Sequence, residues 1–209
     1  MTRALALGLL LAASAALAED VGQPWSIVGP RTIAPDQNAF EFGAGWPGVS
    51  AAWVHGVGPG LNLGARLSFD YGIEGLVKQV APGLKVQATL KVRFLDTERV
   101  SFGLTFEPGP LFHFPQYASN LIGFALPVGV RLGIAASPAF CLALLVEVPL
   151  WIQFGVTGGL QVPILSGVGL EYFVTSNLGV FARARVGPTI RPYSTELTFD
   201  GTIGVGFKR

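Results

Sequence analysis

Apolar and polar side chains alternate with a period of two along much of this chain. From Leu61 to Tyr71 the odd positions are Leu61, Leu63, Ala65, Leu67, Phe69 and Tyr71, and the even ones are Asn62, Gly64, Arg66, Ser68 and Asp70. From Leu84 to Phe94 the apolar set Leu84, Val86, Ala88, Leu90, Val92 and Phe94 interleaves with Lys85, Gln87, Thr89, Lys91 and Arg93. Successive side chains of a strand point to opposite faces, so each segment presents one apolar and one polar face. A helix would scatter the same lysines around its circumference. These are strands.

The pattern recurs. Phe40, Phe42, Ala44 and Trp46 alternate with Glu41, Gly43 and Gly45; Val100, Phe102, Leu104 and Phe106 alternate with Ser101, Gly103, Thr105 and Glu107. Phe124–Leu132, Phe140–Phe154, Val168–Tyr172, Val180–Val186 and Leu197–Phe207 repeat it, and Gly48–Gly56 carries it more weakly. The count is ten strands, or eight if the Gly48–Gly56 hairpin lies outside the wall. Tight turns are expected at Val57–Gly60, Asp96–Arg99, Ala136–Pro138 and Thr175–Asn177, where Gly, Pro, Asp, Asn and Ser gather. Between them lie longer links, Gly72–Gly83, Pro108–Asn120, Gly155–Pro163 and Gly187–Glu196, and the short Trp46-Pro47-Gly48.

Composition decides which face meets what. Half of the residues are apolar and 13% are charged, against about 25% in soluble domains. Every charged residue in the ten segments lies on the polar parity, and glycine and alanine thin that face. A narrow lumen with paired charges and an apolar face turned to lipid accounts for both facts. Segments of about ten residues suffice to cross a bilayer when tilted. Aromatics gather near strand ends: Phe94, Phe140, Tyr172 and Phe207 at one rim, and Trp46, Phe69, Tyr71, Phe106, Phe154 and Phe199 at the other. Two such belts are expected where rings meet headgroups. The predicted fold is all-β, a closed antiparallel transmembrane β-barrel with short turns on one side and longer loops on the other.

The first residues read as an address. Met1-Thr2-Arg3 precedes an apolar run from Ala4 to Ala16, then Ala16-Leu17-Ala18 and the acidic Glu19-Asp20. That is the order of a secretory signal peptide, residues 1–18, cleaved after Ala18. Residues 19–36, with three prolines and little alternation, read as a periplasmic lead-in, and residues 37–209 as the barrel. Without Arg3 the remaining chain has thirteen basic and thirteen acidic residues. No basic excess points to nucleic acid, and the lone Cys141 excludes an intramolecular disulfide.

The repeated hairpins, the turn in Glu171-Tyr172-Phe173-Val174-Thr175-Ser176-Asn177-Leu178 and the last strand running to Phe207 resemble the small OmpA/OmpW-like outer-membrane β-barrel proteins. The resemblance covers roughly residues 37–209 and is one of architecture. It implies an outer-membrane location after export, contact with outer-membrane lipid, and recognition of the final aromatic residue by the outer-membrane assembly machinery.

Chemistry-bearing motifs are few. Gly43-Ala44-Gly45-Trp46-Pro47-Gly48 has the spacing of a dinucleotide fingerprint, but a strand follows it instead of the helix that would receive a pyrophosphate. It is a hairpin turn. His55 and His113 are the two histidines, and neither has a serine within two residues, so no nucleophile–base pair or zinc site is assigned. No catalytic, cofactor or metal site is predicted, and the chain is not read as an enzyme. The candidate functional set is the lumen charge network: Arg66, Lys85, Lys91, Arg93, Arg131, Arg183 and Arg185 facing Glu41, Asp70, Glu107, Glu147, Glu171 and Asp200. Opposite charges in a narrow barrel pair and plug it, because isolated buried charges are costly. The other readings are a narrow channel for small solutes, with basic groups lining an anion path, and an outer-membrane lipid or peptide hydrolase. The segment Pro108–Asn120, with Phe112, Phe114 and Tyr117, is either an apolar cap over the mouth or a ligand-binding external loop.

Overall fold

Extended segments with this alternation satisfy their backbone groups by pairing on both edges. The computed structural model describes residues 25–73, 76–114, 120–154, 159–191 and 194–209. The expected signal peptide, residues 19–24 and residues 115–119 with Tyr117 lie outside the described residues. The strands are β1 (Asn38–Trp46), β2 (Gly48–Gly58), β3 (Leu61–Ile73), β4 (Leu76–Asp96), β5 (Val100–Phe106), β6 (Gly109–His113), β7 (Leu121–Ala135), β8 (Phe140–Phe154), β9 (Gly159–Pro163), β10 (Leu165–Thr175), β11 (Leu178–Arg191) and β12 (Ser194–Lys208). All pair antiparallel in one sheet. Because β1 bonds to both β2 and β12, the hydrogen bonds run round a ring.

The described residues form twelve strand segments where the sequence reading counts ten. The difference arises at two interruptions. Segments β5 and β6 both pair with β4 and β7 and are separated by Glu107 and Pro108. Segments β9 and β10 both lie between β8 and β11, separated by Ile164. A proline has no N–H for the ladder, and Pro108 and Pro163 stand at the two breaks. The expected links also shrink. Gly72↔Val80 and Ile73↔Leu76 continue the β3–β4 pairing, and Thr189↔Glu196 and Arg191↔Ser194 continue β11–β12. The ladder is a backbone structure and persists where side-chain alternation has faded, which is why the sequence underestimates it. Part of the expected 108–120 loop is likewise β6. Phe106, assigned from the sequence to a rim, is mid-wall because β6 carries the wall onward.

Burial follows parity. Leu67 is 50% exposed and Ile203 67%, whereas Asp70 and Asp200 are each 3% exposed and Thr198 is fully buried. The apolar faces turn outward and the ionic groups inward, the reverse of a soluble sandwich. Aromatic clusters mark the outer face: Phe207 stacks on Phe40 at 5.3 Å, and Trp46 lies 5.7 Å from Tyr71 and 6.4 Å from Phe199.

The sequence reading takes residues 19–36 as a periplasmic lead-in to the barrel. Of these, residues 25–33 are buried within the ring, with Trp25, Ile27, Val28 and Ile33 in an apolar cluster with Val54, Ala143, Leu145 and Phe173. The alternation test is blind to a segment that is covered on every side.

Candidate functional site

A chain passing through a ring without joining its sheet has no strand neighbour, so its peptide groups need other partners. Charged side chains of the wall supply them. The Glu171 carboxylate, on β10, accepts from the backbone N–H groups of Ile27 (3.1 Å), Val28 (2.6 Å) and Gly29 (2.5 Å) and from the Ser26 hydroxyl (2.8 Å). Successive N–H groups turned to one anion form a nest. On the acceptor side, Lys91 Nζ on β4 donates to the carbonyls of Ser26 (2.8 Å) and Ile27 (3.3 Å), and Arg131 on β7 donates to that of Val28 (2.8 Å). The sequence reading sets Glu171 and Lys91 against opposite charges; the structure directs both to peptide groups of the inserted segment.

Two further features fix the segment. Arg31 reaches the β4–β5 turn, donating from Nε to Asp96 (2.9 Å) and from a terminal nitrogen to the carbonyls of Thr97 (2.8 Å) and Glu98 (3.0 Å). Asp96 also pairs with Arg93, which therefore belongs to the turn rim and not to the lumen network. The wall leaves room through its inward glycines. A Cβ at Gly133 or Gly103 would come within 2.9 or 3.0 Å of Pro30, one at Gly169 within 2.6 Å of Val28, and one at Gly206 within 2.8 Å of Ile27. Gly29 itself passes so close that a Cβ would meet Ser26 Oγ at 2.4 Å.

Beyond the segment, toward the longer links, the lumen is ionic. Arg66 lies 3.3 Å from Glu41 and 3.4 Å from Glu107, and Lys85 lies 3.0 Å from Asp70. Arg185 contacts Glu147 at 2.5 Å and grips Asp200 through Nε at 3.0 Å to each oxygen and through a terminal nitrogen. Arg131 stands 4.0 Å from Glu107. Arg183, the remaining member of the predicted set, has no ion-pair partner among the described residues, and its Nε is buried without an acceptor. Between these groups lies a polar cavity of about 70 Å³, bordered by Arg66, Asp70, Lys85, Glu107, Arg183 and Arg185 among others.

The histidines divide. His55 bonds to Asn38 at 3.2 Å beside Trp53. His113 is buried on β6 with Nε2 3.6 Å from Asp70, a neighbour that the sequence spacing of 43 residues conceals. That distance exceeds a hydrogen bond, and among the described residues His113 Nδ1 has no partner to orient it. No group of three metal-ligating side chains occurs among the described residues.

The ion pairs were reachable from parity; the inserted segment was not. Its signal was indirect, since glycine on the inward face of β5, β7, β10 and β12 leaves a space that some other part of the chain must fill.

No family model matches this chain, and no curated protein matches it. Among solved structures, it is similar to OmpT, an outer membrane protein of Vibrio cholerae, in its in-vitro folded form, with 14% identity and a TM-score of 0.41 over 86% of this chain and 63% of that one. A loop-deletion form of the same protein gives 15% identity and a TM-score of 0.42, covering 85% and 61%. A KdgM porin gives 12% identity and 0.38, covering 82% of this chain and 98% of that one. The chain thus spans less than two thirds of the length of OmpT.

Proposed function

We propose that this chain is an integral outer-membrane β-barrel of ten wall positions, two of them interrupted strands, whose lumen is closed by its own N-terminal segment. The observation that carries this reading is the inversion of burial. A wall with Leu63, Leu67, Phe69, Val86, Val128 and Val168 exposed outside and Asp70, Lys91, Glu171 and Asp200 buried inside suits hydrocarbon as the external solvent. In water the same apolar surface would far exceed the few hundred Å² tolerated by soluble monomers.

In this reading the tight turns face the periplasm, the segment from Trp25 to Ile33 stoppers that mouth, and the long pairings β3–β4 and β11–β12 rise above the outer leaflet. The chain performs no catalysis. It is a wall component, not an open pore, because backbone and ion pairs fill the interior as is usual for small barrels.

Planar-bilayer recording tests it. The full-length protein folded in detergent gives no resolved steps of ionic current, and deletion of residues 25–34 gives them, while both forms keep a compact, heat-modifiable band from the outer-membrane fraction. Open channels in the intact protein defeat the stopper; a soluble periplasmic pool defeats the membrane assignment.

A further inference from the structure

From the unpaired guanidinium facing the interior cavity we infer a binding site for a small inorganic oxyanion inside the ring, held by Arg183 with help from Arg66. The inference goes beyond the stoppered barrel and does not depend on where the barrel resides.

Each acid bordering the cavity is already engaged: Glu147 by Arg185, Asp70 by Lys85, Glu107 by Arg66. Arg185 takes both Glu147 and Asp200, the two carboxylates whose charges act most strongly on Arg183. Among the described residues Arg183 is therefore left without an acceptor, while Arg185 and Arg66 add like charge beside it. Burying a cation without a counterion or hydrogen-bond acceptor is costly. A second donor points the same way: Arg66 pairs with Glu41 and Glu107 through a terminal nitrogen, but its Nε, like that of Arg183, is buried and without an acceptor among the described residues.

Water satisfies such donors only partly, because it neutralises no charge. An oxyanion does both, and guanidinium forks match the geometry of its oxygens. The cavity is small, about 70 Å³, which suits a compact tetrahedral ion such as phosphate or sulfate. The ligand inferred is the free ion, and glycerol phosphate is the control for an ester of the same group.

The test is calorimetric titration of the full chain, folded in detergent micelles, with inorganic phosphate against a chloride background of equal ionic strength. Saturable one-to-one binding to the wild type is expected. Arg183→Gln should weaken it about tenfold or more, the value of one charge-assisted hydrogen bond. Arg183→Lys should restore part of it, and Arg31→Gln, which alters a cation at the turn rim, should leave it intact. Glycerol phosphate should bind more weakly than inorganic phosphate. Absence of saturable phosphate binding to the wild type overturns the site whether or not any variant folds. So does an Arg183→Gln protein that binds phosphate as the wild type does, or binding of glycerol phosphate alone.

Discussion

Glu171 is the residue on which the interior turns. It is 1% exposed, and its carboxylate gathers three backbone N–H groups and one hydroxyl. In an interior of low dielectric such bonds are strong, and removing the charge leaves the donors facing a weaker acceptor and an added N–H. Hydrogen bonds to a charged group contribute about 1.5–3 kcal/mol. Glu171→Gln should therefore raise the exchange rates of the Ile27, Val28 and Gly29 amides on the order of ten- to a hundredfold. Hydrogen exchange read by mass spectrometry on the folded chain measures this. Unchanged protection at those three amides would mean that apolar packing alone seats the segment. Trp25, edge-on to Phe173 at 5.6 Å, is the contact that would then have to suffice.

At the scale of elements, the wall and the inserted segment are shaped to each other, and the shaping resides in residues that make no polar contact. A Cβ on Gly133 would lie 2.9 Å from Pro30 Cδ and 2.6 Å from Ser101 Oγ. Overpacking of this kind costs about 1–3 kcal/mol, and the segment can yield where the paired β7 cannot. Gly133→Leu should expel Pro30 without breaking the ring. The expected result is ionic current in planar bilayers with the heat-modifiable band retained; loss of the band with no current would instead make Gly133 a requirement of the wall. This coupling also shows where the sequence stopped being legible. Alternation gave the parity of Lys85, Glu147, Arg185 and Asp200 because a strand sorts neighbours onto two faces. It could not give the fate of Trp25-Ser26-Ile27-Val28, which has no sheet of its own, nor the approach of His113 to Asp70, which depends on register across β3, β4 and β6. Nor could it foresee β6 inside an expected loop, since backbone pairing outlasts the side-chain pattern.

For the whole molecule, the deciding matter is which solvent touches the outer wall, and the four tryptophans sample the answer. Trp53 is on the outer face of β2 and 45% exposed, whereas Trp25 and Trp151 are inside at 2% and 5%. Bromine carried on acyl chains quenches an indole only in close contact. Two single-tryptophan proteins, one keeping Trp53 and one keeping Trp25 with phenylalanine at the other three positions, can be folded into vesicles of brominated lipid. The Trp53 protein should lose most of its emission relative to unbrominated vesicles, and the Trp25 protein should keep most of it. A ring standing in water with lipid merely nearby would leave both bright, and a collapsed chain lying on the bilayer would dim both alike. The outcome separates the cases because the two indoles differ in side of the wall. Trp53 is anchored there by its N–H bond to Asn38 (3.0 Å), and Trp25 by its own to the carbonyl of Ser176 (3.2 Å). Only a wall with hydrocarbon outside and the N-terminal segment within gives one dark tryptophan and one bright one.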